Sequence, residues 1–241
     1  MPLRAITFDL WGTIIHDQDP PEKIAKRRAI ILDALAEAGH PFEMEEYRAG
    51  IRAANRIAKD RIERERVDIG PEQRWNLVTQ ALGIPTGRVP FERIAPAYVD
   101  LTVEFLPPLL PAIDKVLAAL HGRVKIGLIC NTGFTGGEPL RQVLEIHELA
   151  RYFDVLTFSN EFGYLKPDPR IFKHTLEQLD VSAAEALHVG DIEDADVAGA
   201  RSVGMFAARY APEVETATEG HLLVRDWREF VAQIGSLDRD A

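Results

Sequence analysis

Four short segments place functional side chains directly after apolar runs, where the strands of a parallel sheet would end. The first is Phe8-Asp9-Leu10-Trp11-Gly12-Thr13, which follows a short run of strand-forming residues. In open α/β sheets ligands bind outside the carboxyl ends of the strands, so Asp9 is a candidate nucleophile or metal ligand. The other three segments are Cys130-Asn131, Lys166-Pro167 and Gly190-Asp191, in this order along the chain.

Strand-like and helix-like patterns alternate through most of the chain, and they predict an α/β fold with a doubly wound, mostly parallel, Rossmann-like sheet. Right-handed crossovers through helices connect the strands of such a sheet. The apolar runs that predict strands are 5–8, 124–129, 155–158, 186–189 and 205–208, with a weaker run at 222–224. The helical patterns between them are 112–120, 138–149, 169–179, 194–202 and 226–234.

The stretch 17–106 contains no strand-like run and predicts an inserted α-helical cap domain. The α/β core domain would then consist of residues 1–16 and 107–241. The proline-rich segment 107–111 predicts a stiff return linker. Helical spacing of apolar residues predicts three helices around Ile31, Tyr47 and Trp75, the first and third ending at glycines 39 and 83. A fourth helix is predicted over 90–105, with a kink at Pro96.

Composition limits the classes of function. The chain has 241 residues, 46% of them apolar, and a formal net charge of −10. This acidity argues against nonspecific binding to nucleic acid or to anionic membranes. The single cysteine excludes an intramolecular disulfide and a cysteine-based zinc site. No segment has the pattern of a signal peptide or a membrane span, so we expect a cytoplasmic protein, while the oligomeric state cannot be read from the sequence.

The four segments, in this order and with a helical insertion after the first, resemble the motifs of the haloacid dehalogenase superfamily. Members of this superfamily are mainly phosphoryl-transfer hydrolases, and the resemblance extends over nearly the whole chain. It implies that Asp9 is the nucleophile and that a divalent cation, Mg²⁺, offsets its repulsion from a phosphate ester substrate. The metal ligands that it implies are Asp9, the main-chain carbonyl of Trp11, and Asp191. Asp196 is expected to support the site by holding Lys166 or a metal-bound water.

The chain departs from the phosphatase pattern at Trp11. In the superfamily's phosphatases this position is a second aspartate, which protonates the leaving group and then activates water. Tryptophan cannot transfer a proton, and general acid–base catalysis typically contributes about 10²–10⁴ in rate. The main-chain carbonyl is unaffected by the substitution, so the implied metal ligand is kept.

The resemblance also implies a set of groups that bind the substrate phosphate. The superfamily has serine or threonine where this chain has Cys130, whose thiol is a weak donor and is expected to be buried. The backbone amides of Asn131 and Thr132, or the Thr132 hydroxyl, are expected to bind the phosphate instead. Lys166 would neutralise both the nucleophile and the phosphate, and Thr13 is expected to orient the Asp9 loop through its hydroxyl.

Other polar residues near these segments have simpler interpretations. We expect His188 to pack within its strand, and Glu193 and Asp194 to stabilise a helix N-terminus through the helix dipole. The arginines at 48, 52 and 56 recur at helical spacing and indicate a salt-bridged solvent face, with an anionic substrate as the alternative partner.

Three other functions remain open at this stage. An aromatic residue at the position of Trp11 fits the 2-haloacid dehalogenases, which need no metal and no leaving-group proton. Those enzymes carry serine and asparagine in place of Gly190-Asp191, and a tyrosine in place of Phe172. Carbon–phosphorus cleavage through an imine on Lys59, or a weakly active binding or regulatory protein, are further possibilities. The retained Asp191 favours the magnesium-dependent phosphatase.

Overall fold

The computed structural model describes residues 3–213 and 218–240, with side chains described up to residue 235. The chain divides into two compact units. The first comprises Met1–Asp17, Pro108–Asn131 and Leu144–Ala241, and the second comprises Gln18–Pro107 and Thr132–Val143. The α-helices are α1 (Pro21–Glu37), α2 (Met44–Glu65), α3 (Pro71–Ala81), α4 (Asp100–Glu104), α5 (Ile113–Leu120), α6 (Gly137–Ile146), α7 (Ser159–Phe162), α8 (Pro169–Leu179), α9 (Gly199–Ser202) and α10 (Trp227–Asp240).

A six-stranded parallel sheet forms the centre of the first unit. Its strands are β1 (Ala5–Phe8), β2 (Lys125–Cys130), β3 (Val155–Phe158), β4 (Ala186–Gly190), β5 (Phe206–Tyr210) and β6 (Leu222–Val224). The strand order is β3-β2-β1-β4-β5-β6, and every pairing is parallel. The predicted fold class is therefore confirmed, and the predicted strand ends are correct to within two residues.

The register of the sheet brings three strand ends together. Phe8, the last residue of β1, lies between Leu128 of β2 and Val189 of β4. All four side chains of β1 are buried, as expected for a central strand of a parallel sheet covered on both faces. Phe8 also packs against the rings of Trp227 and Phe230 on α10. The residues that directly follow β1, β2 and β4 are thereby held at one edge of a rigid sheet.

The second unit contains α-helices and 3₁₀ turns and, over its described residues, no strand beyond a single-residue bridge at Val67. Its core contains Ile31, Leu35, Tyr47 and Trp75, and the indole nitrogen of Trp75 donates to the main-chain oxygen of Val89 at 2.7 Å. The sequence-based cap boundaries of 17 and 106 lie one residue from those of this unit. The unit also includes 132–143, which the sequence-based division placed in the α/β core.

The prediction of one kinked helix over 90–105 is wrong. Phe91–Arg93 and Ala95–Ala97 form separate 3₁₀ turns, and α4 begins only at Asp100. Pro96 has no N–H group, and its ring clashes with the carbonyl that a continuous α-helix would place behind it. The backbone instead forms tighter bonds, such as the one from Ala97 N to Ile94 O at 2.9 Å. Across the described residues, the helices lack the combination of length and hydropathy that a membrane crossing needs.

Candidate functional site

The loop that follows β1 turns back sharply and holds Asp9 at the strand end. The main-chain nitrogen of Asp9 still donates to Val189 O on β4 at 2.8 Å, so its backbone is fixed by the sheet. The carbonyl of Leu10 then accepts from Ile14 N at 2.8 Å, which closes the turn. Gly12 sits in this turn with a φ of 69°, and a Cβ atom there would lie 2.6 Å from Asp191 Oδ2. Only glycine therefore lets the two loops approach this closely.

A second glycine allows a carboxylate to pack onto the end of β4. A Cβ atom on Gly190 would lie 2.1 Å from Cγ of Asp196. The helix predicted over 194–202 begins as a π-helical turn, Glu193–Ala198, before α9. Such turns are rare and occur frequently at functional sites. Asp196 Oδ2 accepts from Ile192 N at 2.9 Å, so the carboxylate is held against its own loop.

Lys166 lies between two buried carboxylates. Its ammonium nitrogen is 2.6 Å from Asp9 Oδ1 and 2.6 Å from Asp196 Oδ1. The three residues are 3%, 6% and 1% exposed, respectively, so water screens these contacts very little. The structure thus brings together the predicted nucleophile, the predicted lysine and the predicted supporting aspartate.

The protonation of these groups follows from burial and from this pairing. Burial raises the pKa of Asp9 to about 7, although the neighbouring Lys166 acts to lower it. Burial also raises the pKa of Asp191 to about 6, and the charge of Asp196 adds to this effect. Burial opposes the charged forms of Lys166 and Asp196 too, but their mutual attraction outweighs it. The pKa of Lys166 is therefore held above its ordinary value and that of Asp196 below its own.

Three carboxylates share this site with one ammonium group. Oxygen atoms of Asp9, Asp191 and Asp196 lie within 4.8 Å of one another. Oδ1 of Asp191 is buried and has no hydrogen-bond partner among the described residues. A buried carboxylate oxygen without a partner is costly, and a divalent cation would satisfy it. Carboxylates are the ligands that Mg²⁺ prefers, so the residues present fit a magnesium ion.

His188 extends this network beneath the site. The prediction that it merely packs within β4 is incomplete, because its Nε2 lies 3.2 Å from Asp196 Oδ1 and its Nδ1 lies 2.8 Å from Thr7 Oγ1. Burial lowers the pKa of His188. A neutral ring with its proton on Nε2 satisfies both contacts, since it donates to Asp196 and accepts from the Thr7 hydroxyl. Thr7 and His188 are register partners on β1 and β4, a pairing that sequence patterns alone do not reveal.

The side chain of Asn131 makes two contacts that the sequence does not predict, and the expected role of its backbone amide stays a prediction. Its side-chain amide nitrogen donates to Lys166 O at 2.9 Å, and its side-chain oxygen accepts from Lys166 N at 2.8 Å. The side chain therefore fixes the backbone of the lysine loop. Cys130 is fully buried, as predicted, and its sulfur lies 3.6 Å from the main-chain oxygen of Asn131.

The two threonines of the predicted site are both buried, but in different units. Thr13 belongs to the α/β unit, and its hydroxyl has no hydrogen-bond partner among the described residues. The role of this hydroxyl in orienting the Asp9 loop is therefore not supported by a hydrogen bond and stays a prediction. The loop is anchored instead through the Thr13 carbonyl, which accepts from the Trp227 indole at 3.2 Å. Thr132 belongs to the helical unit, where its hydroxyl donates to Asp68 Oδ2 at 2.9 Å.

The sequence does not predict a role for Arg209, which lies one residue beyond the predicted end of β5. Its Nε donates to the carbonyl of Asp191 at 3.2 Å, and its Nη1 lies 3.3 Å from Glu193. Glu193 also accepts from the hydroxyl of Thr218 and from the backbone of Glu219. Besides its expected effect on a helix terminus, Glu193 therefore helps to hold the Asp191 loop in place through Arg209.

Other predicted candidates have ordinary surface positions. The side chain of Trp11 is half-buried, and its backbone bridges to Ile15. Lys59 is 73% exposed and lies 3.6 Å from Glu63, one turn along α2. Imine-forming lysines are usually desolvated in an apolar pocket, which this exposed position does not provide.

Comparisons with known proteins agree on one family. A family model for haloacid dehalogenase-like hydrolases matches residues 3–204. The ribulose-1,5-bisphosphate 5-phosphatase of Halopiger xanaduensis is 30% identical over 223 residues, which cover 89% of this chain and 88% of that protein.

Two solved structures are similar over almost their whole length. A HAD phosphatase from Thermococcus onnurineus has a TM-score of 0.67 at 23% identity, covering 97% of this chain and 98% of that one. A 2-haloacid dehalogenase from Pseudomonas syringae pv. Tomato has a TM-score of 0.68 at 22% identity, covering 98% and 99%. At these identities the likeness concerns the fold, and it does not separate the two chemistries.

Proposed function

Since the chain belongs to the haloacid dehalogenase-like hydrolases, we propose that it is a magnesium-dependent phosphatase of a small phosphorylated metabolite. The observation that carries the proposal is the excess of buried carboxylates over cations around Asp9, together with the unpartnered oxygen of Asp191. A dehalogenase needs no metal and gains nothing from such an arrangement. The phosphatase relative supports a phosphate ester as the substrate class.

The reaction would proceed through a phosphoryl group carried on Asp9. A carboxylate oxygen of Asp9 attacks phosphorus, the bond from phosphorus to the ester oxygen breaks, and the alcohol portion leaves with the bonding electrons. Water then attacks the phosphorus of the aspartyl-phosphate, which releases inorganic phosphate and restores Asp9. Lys166, held by Asp196 and by the Asn131 side chain, keeps a positive charge beside the nucleophile during both steps.

The metal would be held by Asp9, Asp191 and the main-chain carbonyl of Trp11. When bound, Mg²⁺ supplies positive charge that offsets the repulsion between the carboxylate and the phosphate. Asp196 is less suited to this role, because its oxygens already accept from Lys166, His188 and Ile192. We assign it to positioning Lys166.

Trp11 restricts the substrate in this mechanism. No side chain at that position protonates the leaving oxygen, so esters whose alcohol is acidic should react fastest. The backbone amides of Asn131 and Thr132 would bind the phosphate oxygens, since the Cys130 thiol is a weak donor and is engaged by Asn131. The helical unit would act as the cap that selects the substrate and excludes water.

A second candidate function is the dehalogenation of 2-haloacids, which the aromatic side chain of Trp11 favours. Attack of Asp9 on carbon would expel halide, and a halide needs no proton to leave. One screen separates the two functions: phosphate and chloride release from aryl phosphates, alkyl phosphates and 2-haloacids, each with Mg²⁺ or with a chelator.

We expect phosphate release from aryl phosphates that requires Mg²⁺. Chloride release that persists in the chelator would establish the dehalogenase instead. If neither substrate class turns over while the folded protein still binds Mg²⁺, the chain is a binding or regulatory member of the family, and the proposed activity is refuted.

A further inference from the structure

The helical unit contains a positively charged groove of about 460 Å³. Four arginines line it, and among its described lining residues there is no aspartate or glutamate. The chain as a whole carries a net charge of −10, so this concentration of positive charge runs against its general character. The arginines are Arg27 and Arg28 from α1 and Arg48 and Arg52 from α2.

The four arginines differ in how far their charges are already neutralised. Arg27 lies 2.6 Å from Asp19 and also donates to a backbone carbonyl. Arg48 and Arg52 share one partner, Glu45, at 3.8 and 2.8 Å, outside the groove lining.

Arg28 is the arginine with an unused charge. It is half-buried and forms no ion pair with any residue that the structure describes. A half-buried guanidinium keeps a strong field, because solvent screens it less than an exposed one. Its planar fork of donors matches a carboxylate, sulfonate or phosphate group.

The groove also has an apolar floor. Ile51 and Phe134 line it and are partly buried against the core of the helical unit. The ring of Phe134 stacks on that of Tyr98 with centroids 4.6 Å apart and an interplanar angle of 14°, which holds it in place. A groove with cationic walls and a fixed aromatic floor fits an anionic group attached to an apolar body, rather than a bare inorganic ion.

We propose that this groove binds a small organic anion, with Arg28 pairing with the anionic group and Ile51 and Phe134 contacting its apolar body. This site is independent of the phosphoryl-transfer chemistry assigned to Asp9. The ligand could be a substrate that carries a second anionic group, or a separate organic anion, and both share the same chemistry.

Binding of naphthalene-2-sulfonate tests the proposal, because this probe is anionic and flat and has no phosphoryl group or halogen. Isothermal titration of the full chain should show that the probe binds, and that the neutral naphthalene-2-sulfonamide binds more weakly by about tenfold or more. Arg28→Gln should weaken probe binding by a similar factor, while Arg28→Lys should keep part of the affinity. Arg56→Gln is the matched control, since Arg56 is an exposed arginine of α2 that does not line the groove. This variant should bind the probe as tightly as the wild type does.

Each variant is first compared with the wild type by thermal unfolding, so that a folding defect is not mistaken for lost binding. Equal affinity in a folded Arg28→Gln variant, or equal affinity for the neutral sulfonamide, would overturn the proposal. The same holds if Asp9→Asn abolishes binding while Arg28→Gln does not, because the probe would then occupy the catalytic site.

A kinetic arm identifies the source of the anion. If it belongs to the substrate, Arg28→Gln should raise KM for an aryl phosphate that carries a carboxylate and leave KM for unsubstituted phenyl phosphate unchanged. If the ligand is separate, both KM values stay at the wild-type level while probe binding is still lost.

Discussion

The charged cluster around Asp9 and the ion pairs on the solvent face of α2 use charged side chains in opposite ways. In the α/β unit, Asp9, Lys166 and Asp196 are almost completely buried and meet at 2.6 Å. On α2 of the helical unit, the pair formed by Arg52 and Glu45 meets at a similar 2.8 Å, yet its side chains are 59% and 71% exposed. Contact distance is therefore nearly the same in the two regions, and burial is what separates them.

Burial decides what such a pair can do. An exposed pair is screened by water and contributes little to stability or to chemistry. A buried charge loses its hydration, and it is kept only where partners compensate for that loss. Strongly perturbed groups in a cluster are typical of catalytic sites, and in the α/β unit the pKa values of Asp9 and Asp191 are raised to about 7 and about 6. The half-exposed arginines of the groove suit reversible binding better than catalysis.

The largest effect should come from the nucleophile. Asp9→Asn keeps the size of the side chain but removes the attacking carboxylate, so we expect phosphate release to fall by about 10³-fold or more. The matched control is Asp60→Asn, which changes an exposed aspartate of α2 and should leave turnover unchanged. Steady-state assays on a Mg²⁺-supported aryl phosphate give the comparison. Wild-type turnover in Asp9→Asn would remove Asp9 from the mechanism.

The buried lysine should dominate the effects on stability. Lys166→Met leaves Asp9 and Asp196 as neighbouring buried carboxylates, and we expect the free energy of unfolding to fall by about 3–5 kcal/mol. Lys59→Met removes an exposed lysine from a surface pair and should change that free energy by less than about 0.5 kcal/mol. Urea denaturation of both variants measures the difference. If both variants lost a similarly small amount of free energy of unfolding, burial would not explain a difference in stability between the two lysines.

The sheet could be predicted from sequence because its signals are local. Each strand is an apolar run bounded by polar or turn residues, and the residue after it marks the functional edge, as Asp9 does after β1. The prediction of a single helix over 90–105 is wrong because the local signal there is misleading. Its apolar spacing is helical, but Pro96 breaks the hydrogen bonds that spacing assumes.

The candidate site was only partly predictable because some of its contacts depend on strand register. Asp9, Lys166 and Asp196 follow recognisable segments and do come together. His188 joins them only because it pairs with Thr7 across β1 and β4, and no pattern along the chain contains that information. The contact between the Asn131 side chain and the Lys166 backbone is also hidden from sequence patterns, because 35 residues separate the two positions.

Magnesium binding should depend on Asp191 more than on the other acids of its loop. We expect Asp191→Ala to weaken Mg²⁺ binding by at least about tenfold, because it removes a carboxylate oxygen that has no other partner. Asp194→Ala is the matched control: this acid lies three residues further along the chain, in the π-helical turn, and is exposed. Isothermal titration with MgCl₂ compares them. Equal affinity in wild type and Asp191→Ala would remove the main argument against the dehalogenase.

The smallest and most informative change should be a gain of activity at Trp11. If the missing acid/base is what limits the protein, rates should depend strongly on the leaving group, and the aspartyl-phosphate should hydrolyse slowly. Trp11→Asp supplies a carboxylate at that position and should raise turnover of alkyl phosphates by about tenfold or more. Aryl phosphates, whose leaving groups need no proton, should gain less, so the ratio of the two rates is the quantity to measure.

The matched control for this gain is Trp11→Asn, which makes the same change in volume and polarity without a group that transfers protons. Because the indole is half-buried, both variants lose packing, and their thermal unfolding should shift by similar amounts. An increase for alkyl phosphates in the aspartate variant alone assigns the effect to proton transfer rather than to a more open site. An equal increase in both variants would mean that the indole obstructs the substrate. No increase in a folded, Mg²⁺-binding Trp11→Asp variant would count against phosphoryl transfer, because Lys166 and the carboxylates of Asp191 and Asp196 already lie close to Asp9.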